Sequence, residues 1–498
     1  MSIPSAEDPP PPTALAGGTR GPEALRPLTA TAIDALADGA RRRGGPLPAG
    51  GPDAVAARVR EVLGPVIPEQ GRGATEALRS LVSLVAEGAA DPADPHCVAH
   101  LHCPPLASAA VADLAASALN PSMDSWDQAP ASGALEAEVC AALARLVYPD
   151  HPAPDALVTS GGTESNLVGL LLAREWARGL GTAPLRVLCG ANAHHSAHRA
   201  AWTLGLPAPE TVPCPGGTLD PEALRRLLAD SDRPTLVVAT AGTTDQGLID
   251  PLERIAEVAS AHGARLHVDA AYGGPLLFHP ELATRLRGLT AAATVSLDLH
   301  KLGWQPVAAG VLAVAESGML AGLAHHTDYL NAEDDTESGL PDLLGRSIRT
   351  SRRPDVLKIA VTLRSLGRAG LAETVADCVR LAEDFAARLD ADPALRRCPG
   401  PVGLSTVLFR PALADRLPPE EGDALVAEVR RQLLWEGRAV LGRAKVPDGV
   451  SEGASEGGGR LWLKATLLHP HTRPEQLEDL LKLVVESAQL AYEPGDGR

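Results

Sequence analysis

The chain has 498 residues, of which 45% are hydrophobic and 21% are charged, an ordinary composition for a globular protein of two or three domains. Its 62 acidic residues outnumber its 45 basic residues, and the net charge of −17 is spread along the chain, which argues against nucleic-acid binding. The seven cysteines are scattered without a CxxC pair, so the pattern favours reduced thiols over a disulfide framework or a metal site.

The N-terminal region divides into two segments. Residues 1–25 are rich in proline and glycine and poor in large apolar groups, so we expect a disordered tail. The chain shows no secretion signal and no uncharged apolar run near the ~20 residues that span a bilayer, so a cytoplasmic location without membrane contact is expected. From 26 to 95, apolar residues recur at helical spacing, for example Leu28, Ile33 and Leu36, which predicts a helical N-terminal segment.

Residues 96–370 alternate short β-rich runs with helical stretches, which predicts a large α/β domain with a mostly parallel sheet covered by helices. The predicted elements are strands at 186–189, 235–239, 265–268 and 294–297, and helices at 221–230 and 251–262.

Residues 371–498 have the pattern of a small C-terminal α/β domain. The predicted elements are a long amphipathic helix from 371, strands at 402–409 and 460–468, and a helix from 474 to about 491. The Gly/Ser/Glu-rich stretch at 448–459 is predicted to be a mobile surface loop.

Lysine is rare in this chain, because only five of its 45 basic residues are lysines, and the first of them is Lys301. It follows an apolar run in the sequence Asp-Leu-His-Lys, as expected for a strand that ends at a pocket. An arginine guanidinium cannot readily condense with an aldehyde, whereas a partly desolvated lysine can form a Schiff base. A lysine that merely extends from a strand end to solvent is the alternative interpretation.

Three further motifs follow predicted strands, where open parallel sheets bind ligands. Residues 159–166, Thr-Ser-Gly-Gly-Thr-Glu-Ser-Asn, precede a helical stretch and form either an anion site or an ordinary helix cap. Asp269 ends a buried run and needs a cationic partner, with a metal or an arginine as alternatives. A histidine in Ala193–Ser196 could stack on a planar ring or be merely hydrogen-bonded. With Lys301, 32 residues beyond Asp269, these groups are the combination that pyridoxal phosphate requires.

The order of five motifs resembles the group II pyridoxal-phosphate-dependent amino acid decarboxylases, which have the aspartate aminotransferase fold (fold type I). The motifs are Ser-Gly-Gly-Thr-Glu-Ser-Asn, Ala-His-His-Ser, Ala-Gly-Thr-Thr, His-Val-Asp-Ala-Ala-Tyr-Gly-Gly and Asp-Leu-His-Lys. The resemblance runs from about 95 to 365, resumes near 460–485, and implies a large domain with a mostly parallel seven-stranded sheet. Stretches 99–105, 120–128 and 301–306 resemble bacterial L-2,4-diaminobutyrate or related diamino-acid decarboxylases.

The resemblance also implies roles for individual residues. Lys301 would form the Schiff base with pyridoxal 5'-phosphate, Asp269 would pair with the ring nitrogen, and His194 would stack on the ring. The remaining cofactor contacts that it implies are Gly162, Thr163, Thr244, Ala271, Asp298 and His300. With Asp269 keeping the ring nitrogen protonated, the ring can withdraw the electron pair that decarboxylation leaves behind.

The family also has a loop tyrosine that protonates the α-carbon, and Tyr329, 28 residues after Lys301, is the candidate here, with a surface or interface tyrosine as the alternative. His100, Asp124 and Asp127 are expected near the substrate. The two carboxylates would either receive a distal ammonium or cap helices.

Three features of the resemblance leave questions open. Arg352 and Arg353 match an arginine pair of the family whose role the sequence leaves open. Leu299 and Ser165 depart from residues common in the family, although neither change removes a reacting group.

We therefore expect decarboxylation of an L-amino acid, such as 2,4-diaminobutyrate, lysine or ornithine, to its amine and CO2. The resemblance further implies a homodimer in which the helical segment at 26–95 wraps the partner and the site lies at the subunit interface. Alternatives are an aromatic or acidic amino acid as substrate, an aminotransferase or oxidative deaminase, or a non-catalytic binding protein. No metal is expected.

Overall fold

The structure is a computed structural model, and it describes residues 10–181, 183–230, 232–324, 333–341, 343–447 and 459–492. Three helices come first: α1 (Gly21–Arg43), α2 (Gly51–Leu63) and α3 (Ala74–Gly88). Helix α1 starts inside the segment 1–25 that was expected to be a tail, because Pro22 occupies the first turn, where proline is favourable. Along the described chain, none of the helices has the combined length and apolarity that crossing a bilayer requires.

The large domain contains a seven-stranded sheet between helices, which confirms the predicted α/β class. Its elements are α4 (Ala107–Leu119), α5 (Pro130–Val147), β1 (Asp155–Thr159), α6 (Gly162–Leu180), β2 (Arg186–Gly190), α7 (Ser196–Thr203), β3 (Glu210–Val212), α8 (Pro221–Ala229), β4 (Thr235–Thr240), α9 (Leu252–Ala261), β5 (Arg265–Ala270), β6 (Thr294–Asp298), β7 (Gly310–Val314) and α10 (Glu333–Glu337).

The strand order of this sheet is β1-β7-β6-β5-β4-β2-β3, and only β7 runs against the other strands. The central strands are buried along nearly their whole length, as expected for a parallel sheet covered on both faces. The carboxyl ends of β1, β2, β4, β5 and β6 therefore meet at one edge, where the predicted motifs follow them.

The small domain is a four-stranded antiparallel sheet, of order β10-β11-β9-β8, packed against helices. Its elements are α11 (Val356–Ala391), β8 (Leu395–Arg397), β9 (Thr406–Pro411), α12 (Pro419–Trp435), β10 (Gly442–Pro447), β11 (Gly459–Thr466) and α13 (Pro474–Tyr492). Helix α11 begins before the predicted position 371 and is interrupted at Gly367, where φ is 63°. Most of the predicted loop at 448–459 lies outside the described residues.

The arginine pair before α11 has a structural role in this fold. The buried guanidinium of Arg352 donates to both carboxylate oxygens of Glu136 on α5, at 2.6 and 2.7 Å. Arg353 donates to the backbone oxygen of Asp113 on α4 at 3.2 Å and to Ser117 Oγ at 3.3 Å. The two arginines thus fix the start of α11 against both helices.

Candidate active site

A cavity of about 560 Å³ opens at the carboxyl ends of the parallel strands. The predicted residues that line it are His100, Gly162, Thr163, His194, Thr244, Asp269, Ala271, Asp298, His300 and Lys301. They come from separate loops because the chain returns to this edge after each crossover helix. The parallel topology therefore brings together motifs that are far apart in sequence.

Lys301 lies directly after β6 and reaches into the cavity. Its Nζ is 2.8 Å from Oδ2 of Asp298, the last residue of that strand. The side chain of Asp298 is almost fully buried, so its charge needs the lysine or another donor beside it. The loop that carries Lys301 is fixed from the small-domain side, since the indole of the buried Trp304 donates to the backbone oxygen of Leu468 at 2.8 Å.

The glycines after β1 leave room for an anion at the first turn of α6. A Cβ at Gly161 would lie 2.9 Å from His300 Cε1, and a Cβ at Gly162 would lie 2.9 Å from the Ala271 side chain. Backbone N–H groups at the start of a 19-residue helix attract anions. Within the described part of the chain, the buried atoms Asp298 Oδ1 and His300 Nδ1 have no hydrogen-bond partner. This cradle fits a phosphate group, to which His300 Nδ1 can donate a hydrogen bond. Asp298 Oδ1 is an acceptor and needs a donor from another group.

Asp269 stands at the end of β5 and is held by donors rather than by a cation. Its Oδ2 accepts from Asn166 Nδ2 at 2.8 Å, and its Oδ1 accepts from the backbone N–H of Ala271 at 3.1 Å. In the described ranges, no arginine pairs with this carboxylate and no cluster of metal-binding side chains surrounds it. Since ionised carboxylates in such surroundings need positive charge, Asp269 is suited to a protonated ring nitrogen.

His194 presents a neutral imidazole to the cavity. Burial, the largest influence, lowers its pKa. Its Nδ1 lies 2.8 Å from the Ser196 hydroxyl and 3.3 Å from the Ser196 backbone N–H, which is a donor. Nδ1 is therefore an acceptor, and the ring hydrogen is on Nε2.

The sequence prediction missed Lys464, which reaches the same cavity from β11 of the small domain. Its Nζ donates to the backbone oxygen of Thr244 at 3.0 Å and lies 3.8 Å from Oδ1 of Asp245. Burial is the main influence on its pKa, which it lowers. The rarity of lysine, which drew attention to Lys301, was a signal available for Lys464 as well.

Two predicted residues are not brought to the cavity. Asp124 accepts from Gln128 Nε2 at 2.7 Å, and Asp127 accepts from Ser125 Oγ at 2.6 Å. Neither is among the described residues that line the cavity, and neither caps α5, whose N-cap is Ala129 without a side-chain hydrogen bond. Their contact with the substrate therefore stays a prediction. Tyr329 lies outside the described residues.

The positions of these groups define the class of protein. A lysine amine after one parallel strand, a carboxylate ending the next and a glycine-lined helix start are what fold type I enzymes use with pyridoxal 5'-phosphate. Two observations fit that cofactor in the described structure: the glycine-lined cradle with the unpartnered His300 Nδ1, and Asp269, which hydrogen-bond donors hold without a cation.

Comparison with known proteins identifies the family within that class. The conserved domain of the pyridoxal-dependent decarboxylases matches residues 61–411, and the chain belongs to this family. The protein is therefore a pyridoxal-phosphate-dependent amino acid carboxy-lyase.

Two curated relatives match over most of their length. L-2,4-diaminobutyrate decarboxylase of Rhizobium meliloti (strain 1021) is 37% identical over 435 residues, which are 85% of this chain and 84% of the relative. L-2,4-diaminobutyrate decarboxylase of Acinetobacter baumannii is 31% identical over 449 residues, covering 84% of this chain and 85% of the relative.

The fold matches a solved structure over nearly the whole chain. This is the glutamate decarboxylase domain of a diaminobutyrate-pyruvate transaminase and L-2,4-diaminobutyrate decarboxylase from Vibrio parahaemolyticus. The TM-score is 0.82 at 28% identity, with 96% of this chain and 98% of that chain covered. The expected fold type I architecture is confirmed.

Proposed function

We propose that this protein decarboxylates an L-diamino acid, with 2,4-diaminobutyrate, lysine and ornithine as candidates, and releases the corresponding amine and CO2. The observation that carries the substrate class is the similarity to two L-2,4-diaminobutyrate decarboxylases over more than four fifths of each chain.

The proposed cofactor contacts follow from the geometry of the cavity. When bound, pyridoxal phosphate supplies a ring that withdraws the electron pair left on the α-carbon. Lys301 holds its aldehyde carbon, Asp269 holds its ring nitrogen, and His194 covers one ring face. The contacts proposed for the phosphate are Gly162, Thr163 and His300, with Asp298 nearby. Thr244 is proposed beside the ring hydroxyl, and Ala271 against the other ring face.

We propose that Lys464 and His100 hold the two ends of the substrate. Lys464 is a cation in the cavity and suits the α-carboxylate. His100 is kept neutral because burial, together with the charges of Lys464 and Arg430, lowers its pKa. A neutral imidazole accepts a hydrogen bond from an ammonium group without charge repulsion, so His100 suits the distal amine of a diamino acid.

A second candidate substrate class is favoured by the charge of the cavity. Among the described residues that line it, the acids are Asp269 and Asp298, which the proposal assigns to the cofactor, whereas Lys464 can bind a substrate carboxylate. If Lys464 binds a side-chain carboxylate instead of the α-carboxylate, the substrate is an acidic amino acid.

A substrate panel decides between the two classes. The purified enzyme with cofactor is incubated with 2,4-diaminobutyrate, lysine, ornithine, glutamate, aspartate and aromatic amino acids, and the amines are identified by mass spectrometry. Turnover of a diamino acid at least about 10-fold faster than of the acidic ones is expected. Faster turnover of glutamate or aspartate would assign the second class instead.

We propose Tyr329 as the proton donor to the α-carbon, on the basis of its position after Lys301 and the family resemblance. Replacing it by phenylalanine should lower kcat by about 10²- to 10⁴-fold and leave the absorbance of the bound cofactor unchanged. Tyr492, at the half-exposed end of α13, provides the matched control in Tyr492→Phe. Equal kcat values in the two variants would remove Tyr329 from the mechanism.

We propose a homodimer formed through the N-terminal helices. Large apolar side chains of α1, α3 and α4 are exposed in the single chain, namely Ile33, Leu36, Val85, Val111 and Leu119. A second copy is the expected cover for such a surface. The mass by light scattering should be twice 51.5 kDa, and Val85→Asp with Val111→Asp should reduce it to that of one chain. The same double change leaving the dimer intact would place the interface elsewhere.

We propose a cytoplasmic location, because the seven cysteines are scattered along the sequence without a CxxC pair, a pattern that favours reduced thiols. Labelling of the cysteines in the unfolded protein, taken directly from cells, should recover seven thiols; fewer would contradict this location.

A further inference from the structure

A closed hydrogen-bond network lies beneath the cavity and centres on Asn166 of α6. Its amide nitrogen donates to Asp269 Oδ2 and to Ser196 Oγ, both at 2.8 Å. Its amide oxygen lies 2.9 Å from Ser296 Oγ and 3.0 Å from His267 Nε2. All four hydrogen-bonding positions of this buried amide are therefore filled, although Asn166 does not itself line the cavity.

The carboxylate of Asp269 determines the orientation of that amide. An ionised carboxylate only accepts hydrogen bonds, so the amide nitrogen must face it and the amide oxygen must face His267 and Ser296. His267 is neutral, because complete burial lowers its pKa to about 4, and it must carry its hydrogen on Nε2. Its Nδ1 then accepts from the hydroxyl of Thr294 at 2.7 Å.

The fold makes space for this histidine. A Cβ at Gly169, one turn beyond Asn166 on α6, would lie 2.9 Å from the His267 ring. The imidazole thus packs directly against the α6 backbone, with its Nε2 next to the amide of Asn166. A reversed amide would place its oxygen against Asp269 and its nitrogen against a ring N–H, which are two repulsive contacts.

The other branch of the network ends at His194. Since Ser196 Oγ accepts from Asn166, its own hydrogen is directed to His194 Nδ1 at 2.8 Å. The imidazole of His194 consequently keeps its hydrogen on Nε2. One amide therefore connects the carboxylate proposed for the ring nitrogen with the imidazole proposed for the ring face.

We propose that Asn166 is a positioning residue for the decarboxylation: it holds Asp269 as an ionised, oriented carboxylate and fixes the ring orientation and tautomer of His194. This inference rests on the proposed roles of Asp269 and His194. Donors to a carboxylate stabilise its ionised form, so the proton that Asp269 shares with the cofactor stays on the ring nitrogen. Without the Asn166 donor, that proton moves toward the carboxylate.

The test uses the whole enzyme reconstituted with ¹⁵N-labelled pyridoxal phosphate. In the wild type, the ring-nitrogen chemical shift should report a protonated nitrogen from pH 6 to 9. In Asn166→Ala, the nitrogen should lose its proton within that range, and the dissociation constant of the cofactor should rise about 10- to 100-fold.

The matched control is Asn192→Ala. Asn192 makes the same type of bond, from its amide nitrogen to the buried carboxylate of Asp250 at 2.7 Å, but it does not line the cavity in the described structure. The Asn192→Ala variant should have a lower free energy of unfolding than the wild type but the same protonation of the ring nitrogen. A folded Asn166→Ala variant with a protonated ring nitrogen and an unchanged dissociation constant would overturn the inference.

Two further measurements keep the inference testable. If Asn166→Ala does not fold, Ser196→Ala replaces it, with Ser487→Ala, another buried hydrogen-bonded serine, as control. Ser196→Ala should shift the ring-nitrogen titration in the same direction by a smaller amount, and equal behaviour of the two serine variants would refute the inference. An unprotonated ring nitrogen in the wild type would instead refute the proposed role of Asp269.

Discussion

Two lysines of this protein have the same local arrangement and different surroundings. Lys301 and Lys358 each face an aspartate three residues earlier, Asp298 and Asp355. The Lys358 side chain is 1% exposed, and its Nζ lies 2.9 Å from Asp113 and 3.3 Å from Asp355. The Lys301 side chain is 16% exposed, has one carboxylate at 2.8 Å, and lines the cavity.

In the proposed mechanism, this difference separates the reactive lysine from the structural one. The amine of Lys358 lies between two carboxylates and connects α4 to the start of α11, so its role is structural. One side of Lys301 remains open to a cavity that carries unsatisfied polar atoms. An amine is available for chemistry only when its partners leave one direction free.

The largest effect is expected at Lys301. Lys301→Ala should reduce decarboxylation by on the order of 10⁵-fold and abolish the absorbance near ~420 nm that a protonated Schiff base gives. Lys301→Arg keeps the charge beside Asp298 and should be as inactive, because a guanidinium does not condense with the aldehyde. Substantial turnover in Lys301→Arg would show that the positive charge alone matters.

The corresponding change at Lys358 should act on stability. Lys358→Met removes the buried cation between two carboxylates and leaves them only the partly exposed Arg353, at 3.1 Å from Asp113 and 3.5 Å from Asp355. We expect the free energy of unfolding to fall by about 3 kcal/mol, the low end for a broken buried pair. Urea unfolding with saturating cofactor measures this. The folded fraction should keep the absorbance of the bound cofactor. If that absorbance disappears while the variant is folded, the division between a structural and a reactive lysine is wrong.

A third buried base, His267, extends the comparison because its ring nitrogens bond to Thr294 and Asn166 rather than to a carboxylate. Its pKa is lowered from 6.5 to about 4 in the folded state. Below pH 6.5, His267 is protonated in the unfolded chain but stays neutral in the folded chain. The free energy of unfolding should therefore fall as the pH drops toward 4. The expected loss is about 3 kcal/mol, and it should be fully absent at pH 7 and above.

Unfolding of wild type and His267→Gln across pH 4–8 isolates this contribution. The variant should be less stable at pH 7 and show a shallower pH dependence. Parallel curves for the two proteins would mean that His267 does not titrate with folding.

The elements that sequence predicted well are the buried parallel strands. Runs such as 235–239 and 294–297 are short, continuous apolar segments between helices, and this pattern is typical of strands covered on both faces. Strands β1, β3, β7, β8 and β10 were not predicted, and the last two show one reason. Each has basic residues, Arg396 and Arg397 in one and Arg443 and Lys445 in the other, so the apolar signal of a strand is weak.

The candidate site was predictable where its residues follow those strands, as Asp269 and Lys301 do. The position of Lys464 in the cavity was not predictable, because this residue comes from the small domain and no local sequence pattern encodes how two domains pack. Asp124 and Asp127, which were expected near the substrate, accept hydrogen bonds from Gln128 and Ser125 in the same loop. Local hydrogen bonds of this kind have no sequence periodicity.

The rarity of lysine pointed to Lys301, but it applies equally to Lys358, so composition alone does not separate the two roles. Replacing the exposed Lys482, where we expect the smallest effect, tests whether burial and the cavity decide the role of a lysine. Its Nζ lies 3.0 Å from Asp479 on the surface of α13, and both side chains are about two-thirds exposed. Lys482→Ala should change the free energy of unfolding by less than about 0.5 kcal/mol and leave kcat unchanged. A marked loss of activity would mean that lysine is retained in this chain for a reason that burial and cavity geometry do not capture.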